Sequence, residues 1–107
     1  MTYRVIKSRA AEQDMFGILE YLAETLSSIS AARHFYNSLS ACYKRLHRNP
    51  RMYPVCREGT LAEKGFRCAP VMRYVVFYKV NDVNSSVMVH RIIHSTMDYS
   101  NSDFSKV

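Results

Sequence analysis

The feature that most limits what this chain can fold into is a change of apolar period at Gly65. Upstream, hydrophobic residues recur at helical spacing; downstream they alternate, as a strand requires because its successive side chains leave opposite faces. The pattern implies an α+β domain, an antiparallel sheet with its helices gathered on one face. With 107 residues there is room for one such domain, spanning 1–107.

Tyr3 to Lys7 reads as a first strand. Ser8 is placed to cap a helix in which Met15, Ile18, Leu19, Leu22 and Leu26 form one apolar stripe. Ser27-Ser28-Ile29-Ser30 interrupts it, and Ser30 is the expected cap of a second helix with Ala32, Phe35, Tyr36, Leu39, Tyr43 and Leu46 on its inner face. Pro50 should end that helix near Asn49, because the residue before proline is driven out of the α region. Pro50 to Lys64 has no period and reads as a long loop.

Three strands are predicted after it, at Phe66–Val71, Met72–Val80 and Val87–His94, the last two joined by the turn residues Asn81 to Ser85. In the second, Met72, Tyr74, Val76, Tyr78 and Val80 should face the helices while Arg73, Val75, Phe77 and Lys79 face away. In the third, Val87, Val89 and Ile93 set the inner parity, leaving Met88, His90, Ile92 and His94 outside. Arg91 shares the inner parity and so needs a carboxylate or the sheet's rim. The order is β-α-α-β-β-β, with residues 95–107 as a polar tail expected to fray.

The net charge of +6 is unevenly placed. Between Lys44 and Lys79 stand nine basic residues and two acids, a balance of +7, so the rest of the chain is slightly acidic. A solvated basic face would aid solubility only; concentration in one third of the chain favours a surface for a polyanion, nucleic acid foremost. Its candidate contacts are Lys44, Arg45, Arg48, Arg51, Arg57, Lys64 and Lys79. For Lys44, Arg45 and Arg48 the dipole of the second helix is a sufficient reason to be at its C-terminus. The element order departs from double-stranded RNA-binding domains, and the G-x-x-G loop of KH domains and the RNP1 pattern of RRM domains are missing.

A hydrophobic content of 48% excludes disorder as the main state. No apolar run approaches a membrane span and no signal-peptide pattern opens the chain, so the expected location is the cytoplasm. Cys42, Cys56 and Cys68 are odd in number, lie fourteen and twelve positions apart and contain no C-x-x-C pair. They are expected to be reduced packing residues, neither a disulfide framework nor a zinc site. The four histidines, His34, His47, His90 and His94, include no helical metal-binding pattern, and neither a metal nor a cofactor is expected.

Several fragments, in this order and spacing, carry a resemblance: Tyr3-Arg4-Val5 through Ser8 and Ala11 to Asp14; Ile18 to Glu24; Ala31-Ala32 to Leu46 with Pro50 and Tyr53-Pro54; Gly65-Phe66-Arg67; Arg73 to Asn81; and Arg91-Ile92-Ile93-His94 with Asp98-Tyr99. The chain resembles the RelE/ParE superfamily of type II toxins. That resemblance implies a small curved sheet with an N-terminal helical hairpin on one face, and an antitoxin whose extended segment wraps the toxin; the basic charge adds the expectation that this antitoxin segment is acidic. It implies one of two actions: RelE-like cleavage of mRNA in the ribosome, the slightly preferred expectation, or ParE-like poisoning of DNA gyrase without nuclease chemistry. A degenerate member that binds antitoxin without toxicity is a third.

Metal-independent RNA cleavage needs cations on the phosphate and an acid for the leaving oxygen. The candidates are Arg67 and Arg73 as phosphate ligands, with Lys64 and Arg57 in support, and His94 as the acid, at a position often Tyr or His in the family. Two departures point the other way. Many ribonuclease members carry arginine where this chain has Val75, and basic residues where it has Thr96-Met97, a pattern closer to the ParE-like group.

Overall fold

The computed structural model describes residues 2–57 and 59–97. Strand β1 (Arg4–Lys7) leads into helix α1 (Arg9–Glu20), whose final turn widens into a π-helical turn at Tyr21–Thr25; α2 (Ile29–Arg48) follows, then a short α3 (Gly59–Glu63), β2 (Arg67–Val71), β3 (Tyr74–Asn81) and β4 (Ser86–His94). The four strands form one sheet in the order β1-β4-β3-β2. It is an α+β fold with a mixed sheet: β2-β3-β4 is the expected antiparallel meander, whereas β1 pairs in parallel with β4. The tail from residue 98 onward, and with it Asp98-Tyr99, lies outside the described residues.

Local chemistry explains the helix boundaries. The Ser8 hydroxyl accepts from the Ala11 amide at 3.0 Å, and Ser8 also donates to the His90 carbonyl, so one side chain caps α1 and fastens it to β4. The second cap is Ser28, which accepts from Ala31, and not the expected Ser30; the helix starts one turn earlier than its apolar stripe suggests. It ends at Asn49, before Pro50. The π turn resets the stripe of α1: Leu22 is buried, but Leu26, expected inside, is 53% exposed. Tyr36 on α2 is likewise on the outside.

The main core lies between α1, α2 and one face of the sheet. Phe35, Leu39, Cys42 and Leu46 of α2 pack on Ala69, Tyr74, Val76, Tyr78, Val87, Val89 and Ile92. Tyr74, Val76 and Tyr78 take the predicted inner face; Met72 does not, because Met72 and Arg73 form the two-residue turn between β2 and β3, with Met72 at a φ of 55°. The parity predicted for the last strand holds for Val87 and Val89 and then reverses. Tyr78 pairs with Val89 and Phe77 with Arg91, which makes His90 the extra residue of a β-bulge. Beyond it Ile92 faces the helices and Ile93 the outer face.

A second, smaller core covers part of that outer face. Cys56, Leu61, Phe66, Phe77 and Ile93 cluster there with Cys68 and Val75 against them. The segment predicted as plain loop is therefore partly ordered. Val55 bridges to Arg67, the Cys56 amide donates to the Phe66 carbonyl, the Cys68 amide donates to that of Pro54, and α3 brings Leu61 onto the sheet. The expectation of three reduced cysteines is overturned for two of them. Cys56 and Cys68 form a disulfide, with Cα atoms 5.4 Å apart, and Cys42 alone is an unpaired buried thiol. Counting hid the pair, because the odd cysteine belongs to a different core.

Candidate functional site

The turn at Met72–Arg73 and the end of β4 meet at one end of the sheet. Tyr74 pairs with His94, and the Ser95 amide donates to the Arg73 carbonyl at 2.8 Å. Two confluent clefts open there. One, about 430 Å³, runs between α1 and β4 past Asp14, Gly17, Tyr21, Arg91 and His94; the other, about 250 Å³, runs past Tyr21, Leu26, Met72, Arg73 and His94. Tyr21, Tyr74 and His94 line both, so they form one groove with apolar walls.

Arg91 on the groove's wall has a structural role. Its Nε and Nη2 donate to the Asp14 carboxylate at 2.7 and 3.0 Å, and the Ile92 amide donates to the same group. The carboxylate that Arg91 needed comes from α1, which this ion pair locks to β4 beside the bulge. Asp14 thereby takes three donors in a partly dry place.

His94 stands on the rim with its ring edge-on to Tyr74 at 5.2 Å between centroids. Its Nδ1 receives the Thr96 amide at 3.2 Å and lies 2.7 Å from the Thr96 hydroxyl. A backbone N–H can only donate, so Nδ1 accepts and the ring hydrogen sits on Nε2. Arg73 is exposed on the neighbouring turn, and no hydrogen-bond partner of its side chain is found among the described residues.

The other candidates lie elsewhere. Arg67 pairs with Tyr78, roughly 13 Å along β3 from Tyr74 at about 3.3 Å per residue, and its Nη1 donates to the Tyr53 carbonyl at 2.7 Å. Arg45 donates from Nε to the Tyr53 hydroxyl, and Arg51 is paired with Asp82, which also accepts from Tyr3. Lys79 sits over the Phe66 ring on the outer face, with Nζ 4.9 Å from its centroid. Lys44 and Arg48 are exposed at the end of α2, Arg57 is exposed after Cys56, and Lys64 is half-buried after α3. The basic segment is contiguous in sequence but straddles both faces of the sheet.

One reading of the strands needs correction here: Arg73, expected inside a strand beginning at Met72, lies in the turn before β3 and so is not on the strand face that carries Val75. Val75 itself packs into the outer core. Sequence reasoning also missed Tyr21 and Tyr74 as parts of the groove and Thr96 as the partner of His94; the π turn and the bulge leave no periodic signal.

Residues 5–99 match the family described as ParE toxin of type II toxin-antitoxin system, parDE. The chain belongs to this family. Its fold is similar to that of the chromosomal ParDE system of P. aeruginosa, with a TM-score of 0.68 at 14% identity, covering 87% of this chain and 96% of that one. It is also similar to a chain of the RelBE2 toxin-antitoxin complex of Mycobacterium tuberculosis, with a TM-score of 0.59 at 22% identity over 88% and 99% of the two chains. A third likeness is to the archaeal RelE-RelB complex of Pyrococcus horikoshii OT3, at 0.58 and 21% identity over 90% and 98%. No curated protein matches the sequence. ParE and RelE chains share this one fold, so the fold leaves the choice of target to the side chains.

Proposed function

We propose that this ParE-family chain is a toxin that acts by binding its target, DNA gyrase, and not by cutting RNA, and that a cognate antitoxin neutralises it. The observation that carries this reading is the dispersal of the nuclease candidates. Stabilising a phosphorane needs cations converging on one phosphate. Arg67 is hydrogen-bonded to a carbonyl at the far end of the sheet, Val75 supplies no charge, and of the candidate phosphate ligands Arg73 alone lines the groove with His94; the groove's other arginine, Arg91, is bound to Asp14.

The groove suits protein recognition better than catalysis. Tyr21, Leu26, Met72 and Met97 are each between 46% and 60% exposed around it, an apolar set rimmed by Arg73 and His94. A second reading, ribosome-dependent mRNA cleavage, is favoured by one observation, the juxtaposition of Arg73 and His94 on that rim. The two separate when the chain is induced without an antitoxin. Intact ribosome-bound transcripts with induced DNA-break signalling are expected; cleaved transcripts without DNA damage would overturn the gyrase reading, and normal growth would overturn both.

A further inference from the structure

We propose that Cys56 and Cys68 form a reversible thiol–disulfide site, open to low-molecular-weight thiols and disulfides, that staples the α3 segment onto the outer face of the sheet. The inference is independent of the target the toxin acts on. It rests on how the segment 55–66 is held. One strand-like contact fastens it to the start of β2, through the Val55–Arg67 bridge and the amides of Cys56 and Cys68. Leu61 and Phe66 then lie on Phe77 and Ile93. The disulfide closes the chain across a sequence separation of 12 at the base of this flap.

With the bond intact, the segment can leave the sheet only as a closed loop anchored at β2. Once it is reduced, the segment has no covalent tie and is held by the backbone contacts of Val55, Cys56 and Cys68 and by side-chain packing, Leu61 and Phe66 on the sheet with Phe66 also against Lys79 and His90. Constraint of the open chain is the main way a disulfide stabilises, so its loss falls on this flap first. The α2-covered core shares none of these residues and should not respond.

The chemistry balances as an exchange. Cys56 is 4% exposed whereas Cys68 is only half-buried, which makes Cys68 the more accessible of the two to a small thiolate. Its attack breaks the Cys56–Cys68 bond, leaves a mixed disulfide on Cys68 and releases Cys56 as a thiolate that takes up a proton. A second small thiol then displaces Cys68, so the protein gains two electrons and two protons and the small-molecule pair leaves as its own disulfide. Oxidation is the reverse.

The test uses the full-length protein equilibrated in oxidised or reduced glutathione. Alkylation after acid quenching and unfolding should label one cysteine, Cys42, from the oxidised buffer and three from the reduced one. Amide exchange across residues 55–66 should be at least tenfold faster in the reduced protein, with α2 and β3 unchanged. Cys42→Ser should keep this response, and Cys56→Ser should show fast exchange in either buffer. Three labelled cysteines after oxidised glutathione, a response that needs Cys42, or equal exchange in both states would each overturn the proposal.

Discussion

The two ends of the sheet carry the same residue type to opposite effect. At the end where β3 runs into Asn81, arginines are taken up by other groups of the chain: Arg67 by the Tyr53 carbonyl, Arg45 by the Tyr53 hydroxyl, Arg51 by Asp82, with the Tyr78 hydroxyl donating to the Pro50 carbonyl beneath them. At the end where β4 stops, Arg73 is left facing solvent beside His94 and an apolar groove. A basic stretch of sequence thus says little about a binding surface until the partners of each guanidinium are known. What remains available after the fold has taken its share is a small region, and it lies where the clefts are.

The comparison is most readily broken at the one groove-end arginine that is engaged. Asp14→Ala removes the acceptor of two Arg91 donors and of the Ile92 amide, so unfolding free energy should fall by about 3 kcal/mol in a denaturant titration. A loss below about 1 kcal/mol would show that α1 is held to β4 by packing alone.

A smaller effect belongs to His90, at the bulge between the two ends. Burial, with Lys79 adding to it, pushes its imidazole down to about 4 from 6.5. The unfolded chain therefore binds a proton that the folded one refuses, and stability should be greatest above pH 6.5 and decline as the pH falls toward about 4. Because the ring is only half-buried, the decline attributable to it should be discounted to on the order of 1 kcal/mol. His90→Phe, which fits beside Phe66, should flatten that part of the stability–pH curve. The smallest effect is expected at Arg51, fully exposed with its partner Asp82. Arg51→Ala should leave the melting temperature within experimental scatter, at low and high salt alike.

Much of this architecture is legible in the sequence, for reasons that also mark where legibility stops. Ser8, Pro50 and the alternation through Tyr74, Val76 and Tyr78 act locally, so the first cap, the end of α2 and the inner face of β3 follow from the residues themselves. Arg91 does find a carboxylate, but the inner parity from which that need is read is already reversed at Arg91 by the bulge at His90. Asp14, seventy-seven positions away, could not be singled out as its partner from spacing. The bulge at His90 and the π turn at Tyr21 each insert a residue without any compositional mark, and both displace the pattern exactly where the groove forms. The disulfide joins residues that become neighbours only when Val55 bridges to Arg67, a long-range pairing that the odd cysteine count obscured.

The division of labour between the two ends is tested most directly by Arg67→Ala and Arg73→Ala measured side by side, for unfolding free energy and for growth arrest at matched abundance of folded protein. Arg67→Ala should lose about 2 kcal/mol, the range for a charged hydrogen bond to a part-buried carbonyl, and arrest growth as the parent does per folded molecule. Arg73→Ala should keep the parent's stability and arrest growth at least tenfold less effectively. The reverse pattern, stability lost at Arg73 and toxicity lost at Arg67, would contradict the account.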